Sequence, residues 1–107
     1  MLYTKYTIIM GLNDRETLMP VADFATAQLE VAGRLAQLET GATITRGMGA
    51  YKHEDGRVVV EESVIISVID FDGSFKGKAQ AFCDGLKRDY NQESLAVETA
   101  QVESKLV

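Results

Sequence analysis

Two strand-like runs, Gly41 to His53 and Arg57 to Asp70, flank the segment Glu54-Asp55-Gly56, and this hairpin constrains the fold more than any other feature. Val58-Val59-Val60 and Val64-Ile65-Ile66 are β-branched, and Asp-Gly between two such runs is a strong hairpin signal. The loop length leaves two registers open. A two-residue Asp55-Gly56 loop pairs Glu54 with Arg57, sets Tyr51 opposite Val60 and Ala50 opposite Glu61. A three-residue loop with a glycine bulge pairs His53 with Arg57, sets Tyr51 opposite Val59 and Gly49 opposite Glu61. Because side chains alternate along a strand, only the second register puts Tyr51, His53, Glu61 and Ser63 on one face.

The rest of the chain must partner this hairpin. Tyr3 to Leu12 reads as a first strand, ended by Gly11 and the polar run Asn13-Asp14-Arg15-Glu16-Thr17. A first helix follows, with Pro20 suited to its first turn and Asp23 favourable near its N-terminus. Its apolar stripe is Phe24, Ala27, Val31, Leu35 and Leu38, and Gly41 is the expected C-terminal cap. Asp70 to Gly73 is a turn, and Ser74 is the expected N-cap of a second helix with the stripe Phe75, Ala79, Phe82, Leu86 and Tyr90. Ser94 to Val102 reads as the last strand, and Glu103 to Val107 as a fraying end. The order predicts one α+β domain over residues 1–107, a ferredoxin-like βαββαβ unit with two helices on one face of a four-stranded antiparallel sheet. Val59 and Ile65 oppose Val60, Val64 and Ile66 in parity, so the second sheet face is also apolar and needs a cover. A homodimer, packed sheet to sheet or edge to edge, is the expected one.

Composition narrows the chemistry. The net charge is −5 and the eleven Lys and Arg residues are scattered, which argues against direct nucleic-acid binding. Cys83 is the single cysteine, so an intrachain disulfide and every multi-cysteine zinc site are excluded. The apolar residues between Met1 and Leu12 lack a signal-peptide layout, and no apolar run is long enough to span a bilayer. These features predict a cytoplasmic protein without membrane contact.

The densest polar cluster surrounds the hairpin: Arg46, Tyr51, His53, Glu61, Glu62 and Ser63. In the second register Gly47 and Gly49 leave space beside Tyr51, His53 and Glu61, which suits a ligand pocket or an acid–base pair. The plainer reading makes His53 a solvated turn residue and pairs Glu61 with a Lys or Arg. The loops Asn13 to Thr17 and Asn91-Gln92-Glu93-Ser94 are a second candidate, if the first and last strands are neighbours; otherwise they are ordinary connections. Gly47-Met48-Gly49 lacks the strand-to-helix setting and the Lys-Ser/Thr ending of a phosphate loop. Cys83 reads as a core residue. A lone histidine gives no metal set, and no cofactor is expected.

Met10-Gly11-Leu12-Asn13-Asp14, Gly47 to Gly56, Val60-Glu61-Glu62-Ser63, and Asn91-Gln92-Glu93-Ser94 with Ala96-Val97 resemble segments of a group of small uncharacterised proteins encoded in bacterial, phage and plasmid genomes. The resemblance spans most of the chain and carries no activity with it. It implies a mobile-element setting and directs attention to Asn13, Asp14, Tyr51, His53, Glu61 and Gln92 as ligand-binding residues.

Three functions fit these observations. The leading expectation is a non-enzymatic binding domain, a homodimer holding a protein or a small ligand; the resemblance adds the idea of blocking a host defence system. The alternative is a small dimeric enzyme using His53 and Glu61 for acid–base chemistry. The third is a structural or assembly protein defined by its interface.

Overall fold

The structure is a computed structural model that describes residues 1–107. Its elements are β1 (Leu2–Gly11), α1 (Phe24–Gln37), β2 (Thr43–Lys52), β3 (Val58–Asp70), α2 (Ala79–Asp89) and β4 (Ala96–Glu103). The strands form one antiparallel sheet in the order β2-β3-β1-β4. This is the α+β, ferredoxin-like βαββαβ arrangement that the pattern predicts.

Alternation along the two central strands builds the core. Tyr6, Ile8 and Met10 of β1 stand beside Val68, Ile66 and Val64 of β3 on one face. They pack with Ala27, Val31 and Leu35 of α1 and with Phe82 and Leu86 of α2 in a single cluster, which places both helices on that face. Phe75 adds edge-to-face contacts with Tyr6 and Phe82, at centroid distances of 5.1 and 6.1 Å. The opposite face carries Ile9, Val59, Ile65 and Ile69, all half-buried within the single chain. The β2–β3 hairpin runs past the helical layer and leaves Met48, Val58 and Val60 exposed on its helix side. No helix is long and apolar enough to cross a membrane.

The helix ends differ from expectation in three places, each for a local reason. Pro20 lies outside α1, in an isolated bridge with Asn13; the helix begins at Phe24, where the Asp23 carboxylate accepts the Thr26 N–H at 2.8 Å. Gly41 does not cap α1. Glu39 takes the left-handed position (φ 55°), with Glu39 N–H donating to Ala36 O and Thr40 N–H to Leu35 O, a Schellman closure. Ser74 makes no side-chain cap. Residues Phe75–Gly77 form a 3₁₀ turn whose free N–H groups at Phe75 and Lys76 donate to Asp70 at 3.1 and 3.2 Å.

Candidate active site

The hairpin takes the register with a three-residue loop. His53 N–H donates to Arg57 O at 2.8 Å, and Gly56 (φ 90°) supplies the left-handed bulge. Tyr51 therefore faces Val59, and Gly49 faces Glu61. Tyr51 and Glu61 share the sheet face away from the helices. The neighbouring acid, Glu62, points to the helix side, where it pairs with Arg46, whose guanidinium lies over the Phe24 ring.

Two loops close over this end of the sheet. Helix α2 ends in a second Schellman closure, with Asn91 in the left-handed region (φ 45°), Asn91 N–H bonded to Arg88 O and Gln92 N–H to Lys87 O. That turn presents Asn91 and Gln92 to the loop after β1. Asn91 Nδ2 donates to Asp14 Oδ2 at 2.7 Å, Arg15 N–H donates to Asn91 O at 3.0 Å, and Gln92 Nε2 donates to Asn13 O at 2.8 Å. Asp14 also accepts the Glu16 and Thr17 N–H groups at 2.8 and 3.0 Å. The Asn91 amide, with those two N–H groups, holds the Asp14 carboxyl below the usual carboxylate range.

Between these loops and the hairpin lies an open pocket of 240 Å³, lined by Asn13, Arg15, Leu18, Tyr51, His53, Glu61, Gln92, Glu93 and Ser94. Five of the six residues singled out in the sequence meet here: Asn13, Tyr51, His53, Glu61 and Gln92. Asp14 does not line the pocket; its oxygens organise the loop that does. The Glu61 carboxylate has no Lys or Arg partner. It accepts the Asn13 N–H at 2.9 Å and otherwise faces the pocket. His53 makes no hydrogen bond to Glu61; its Nδ1 lies 3.2 Å from Asp55 at the hairpin tip.

Arg15, Glu93 and Ser94 come from the two loops that the sequence marks out, with no signal that distinguishes them from their neighbours there. Leu18 carries no sequence signal. It reaches the pocket through a left-handed backbone (φ 62°) that its loop imposes.

A larger cleft of 390 Å³ lies at the other end of the sheet, roughly 25 Å away at about 3.3 Å per strand residue. It is lined by the acids Glu39, Asp70 and Asp72; Asp70 closes the 3₁₀ turn by accepting the Phe75 and Lys76 N–H groups, and Asp72 accepts the Ser74 N–H at 2.9 Å. Cys83 packs against the core on α2. Burial, then the nearby Asp84 charge, pushes its thiol above the usual range, which leaves it a poor nucleophile.

No family model and no curated protein sequence matches the chain. Among solved structures it is similar to a phage SAM lyase in complex with S-methyl-5'-thioadenosine, with 26% identity over 92% of this chain and 81% of that one, at a TM-score of 0.73. The apo state of a phage SAM lyase matches equally, with 26% identity over 92% of this chain and 79% of that one, at a TM-score of 0.72. Those proteins are enzymes. This likeness overturns the expectation of a non-enzymatic binding domain and favours the enzyme alternative.

Proposed function

We propose that the chain is a small lyase that cleaves S-adenosylmethionine and releases 5'-methylthioadenosine. The observation that carries the proposal is the likeness to phage SAM lyases along nearly the whole chain, in sequence and in fold together. The pocket's chemistry is consistent with it.

Release of methylthioadenosine breaks the bond between sulfur and the γ-carbon of the aminobutyrate arm. The bonding electron pair moves to sulfur and converts a sulfonium cation into a neutral thioether. The leaving group needs no proton, so the site needs no general acid, and a hydrogen-bonded His53–Glu61 pair is not required. The balance of atoms is completed by ring closure of the arm's own carboxylate onto that carbon, which needs no base, or by transfer of a β-proton to a base, for which the pocket offers His53.

A carboxylate set against the sulfonium would favour the ground state over a transition state in which that charge disappears. The α-ammonium of the substrate keeps its charge, and we assign Glu61 to it. Arg15 makes no ion pair in the fold and is assigned to the substrate carboxylate. The Tyr51 ring and Leu18 provide apolar surface for the nucleoside. The pocket is smaller than the roughly 300–1,000 Å³ usual for such ligands. A second copy of the chain, set against the half-buried sheet face that carries Tyr51 and Glu61, would complete its wall. The reading places the protein in the cytoplasm, where the substrate is made, in a phage or other mobile-element setting.

Incubation of the purified chain with S-adenosylmethionine tests the proposal. The expected result is methylthioadenosine, detected by chromatography and mass spectrometry, in equal amount with a four-carbon product. Recovery of intact substrate from folded protein would overturn it. The mass and ring structure of the second product distinguish lactone from unsaturated amino acid.

A further inference from the structure

We infer that Gly11 is a positioning residue that fixes the Glu61 carboxylate for recognition of a cationic ligand. The inference rests on the proposed function for the identity of that cation. Gly11 ends β1 opposite Ser63, on the sheet face that carries Glu61. Its φ is not in the left-handed region, where Gly56 and Gly73 lie, so backbone freedom does not account for a glycine here. A glycine inside a strand also lacks a side chain to pack and marks a close approach of another group.

That group is Glu61. A Cβ on Gly11 would stand 2.5 Å from Glu61 Oε1 and 2.6 Å from Cδ and Oε2, so the carboxylate lies flat in the space where a side chain would start. Gly33, Gly41 and Gly77 face open space, and Gly47 faces the apolar tip of Ile65. Gly85 meets the Arg34 guanidinium at 3.4 Å and Gly49 the Ser63 hydroxyl at 3.5 Å, both near ordinary contact, so Gly11 is the one glycine whose missing Cβ would overlap a charged group. From this seat Glu61 reaches the Asn13 N–H and presents its charge to the pocket. The clash that alanine would create is with the end of a flexible side chain, not with backbone. The strand can therefore keep its pairing while the carboxylate swings away and Asn13 loses its acceptor.

The test uses the full chain carrying Gly11→Ala, with two probes. Sinefungin retains the α-ammonium and carries an amine in place of the sulfonium; methylthioadenosine is neutral and lacks the amino-acid arm. The expected result is sinefungin affinity reduced about tenfold or more, the scale of a lost hydrogen bond to a charged group. Methylthioadenosine affinity and thermal midpoint stay unchanged, and the Asn13 amide loses protection from hydrogen exchange. In a Glu61→Ala background, Gly11→Ala has no further effect on sinefungin, because the two act through one contact. Equal weakening of both ligands, no change in either, or an Asn13 amide protected as before would overturn the inference. If Gly11→Ala alone does not fold, the double variant with Glu61→Ala decides. Restored folding supports the contact, and continued failure overturns it. If the parent chain binds neither probe, the lyase reading fails, while the Asn13 exchange measurement still decides the role of Gly11.

Discussion

The two ends of the sheet use the same residue chemistry to opposite effect. Each has a carboxylate on β3 that accepts backbone N–H groups from a neighbouring segment, and each lies beside a cleft. Asp70 takes two N–H groups, from Phe75 and Lys76, and so closes the start of the helical segment. Glu61 takes one, from Asn13, and faces the pocket with hydrogen-bonding capacity left over. A carboxylate has about four lone-pair sites. Where the backbone uses it as a helix cap, it belongs to the fold. Where one bond only orients it, it is left for a ligand. Asp70 therefore belongs to the fold, and Glu61 to the pocket.

Substitution at the two carboxylates should separate the ends most clearly. Glu61→Gln keeps an oxygen for the Asn13 N–H but removes the charge, so the thermal midpoint should hold. Methylthioadenosine formation should fall roughly 10- to 100-fold, the scale of a lost hydrogen bond to a charged group. Steady-state turnover with a thermal melt checks both halves. Wild-type turnover in Glu61→Gln would break the comparison.

Asp70→Ala should behave in reverse. Loss of a helix cap costs about 0.5–2 kcal/mol, which for a domain of this size moves the midpoint by roughly 4–8 °C per kcal/mol. Turnover measured below the melt should match the parent. A loss of turnover in the folded variant would show that the far cleft takes part in the chemistry.

Alkali should sharpen the contrast. Burial, and then the nearby Glu30 carboxylate, pushes the Tyr90 phenol up to about 12. A phenol whose folded pKa lies above its unfolded value, about 10, adds stability that is present below that unfolded value and is lost as pH rises towards 12. Tyr90 caps α2 directly before Asn91 and Gln92, so the loosening should start at the pocket end. Absorbance at 295 nm should show a late phenol titration that is absent from Tyr90→Phe. Hydrogen exchange should place the first loss of protection at Asn91 and Gln92, ahead of Phe75 and Lys76.

Acid gives the smallest effect. The folded pKa of Asp14 lies below its unfolded value, so its contribution is present above about pH 4 and is lost as pH falls through the folded value. Exchange protection at the Glu16 and Thr17 amides should drop in that window, without global unfolding. Protection that persists in Asp14→Ala would assign the order of this loop to other bonds.

The fold was legible in the sequence because it rests on periodicity. The alternation of Tyr6, Ile8 and Met10, the stripe Ala27-Val31-Leu35, and the Asp55-Gly56 turn each specify an element through local physics alone. Cap positions were less legible. Glu39 displaced Gly41, and Asp70 displaced Ser74, because the turns that follow chose which backbone groups needed closing. The sequence also named most of the pocket residues, through the polar hairpin and the two loops.

The sequence could not say that these residues meet. A single step of hairpin register puts Tyr51 and Glu61 on one face or on two, and a three-residue loop at Glu54-Asp55-Gly56 made that choice. Nor could it show Glu61 lying over Gly11, or Asn91 and Gln92 holding the loop from Asn13 onwards. Those contacts join residues about fifty to eighty positions apart. Local pattern carries no record of such pairs, and only the packed sheet brings them within reach.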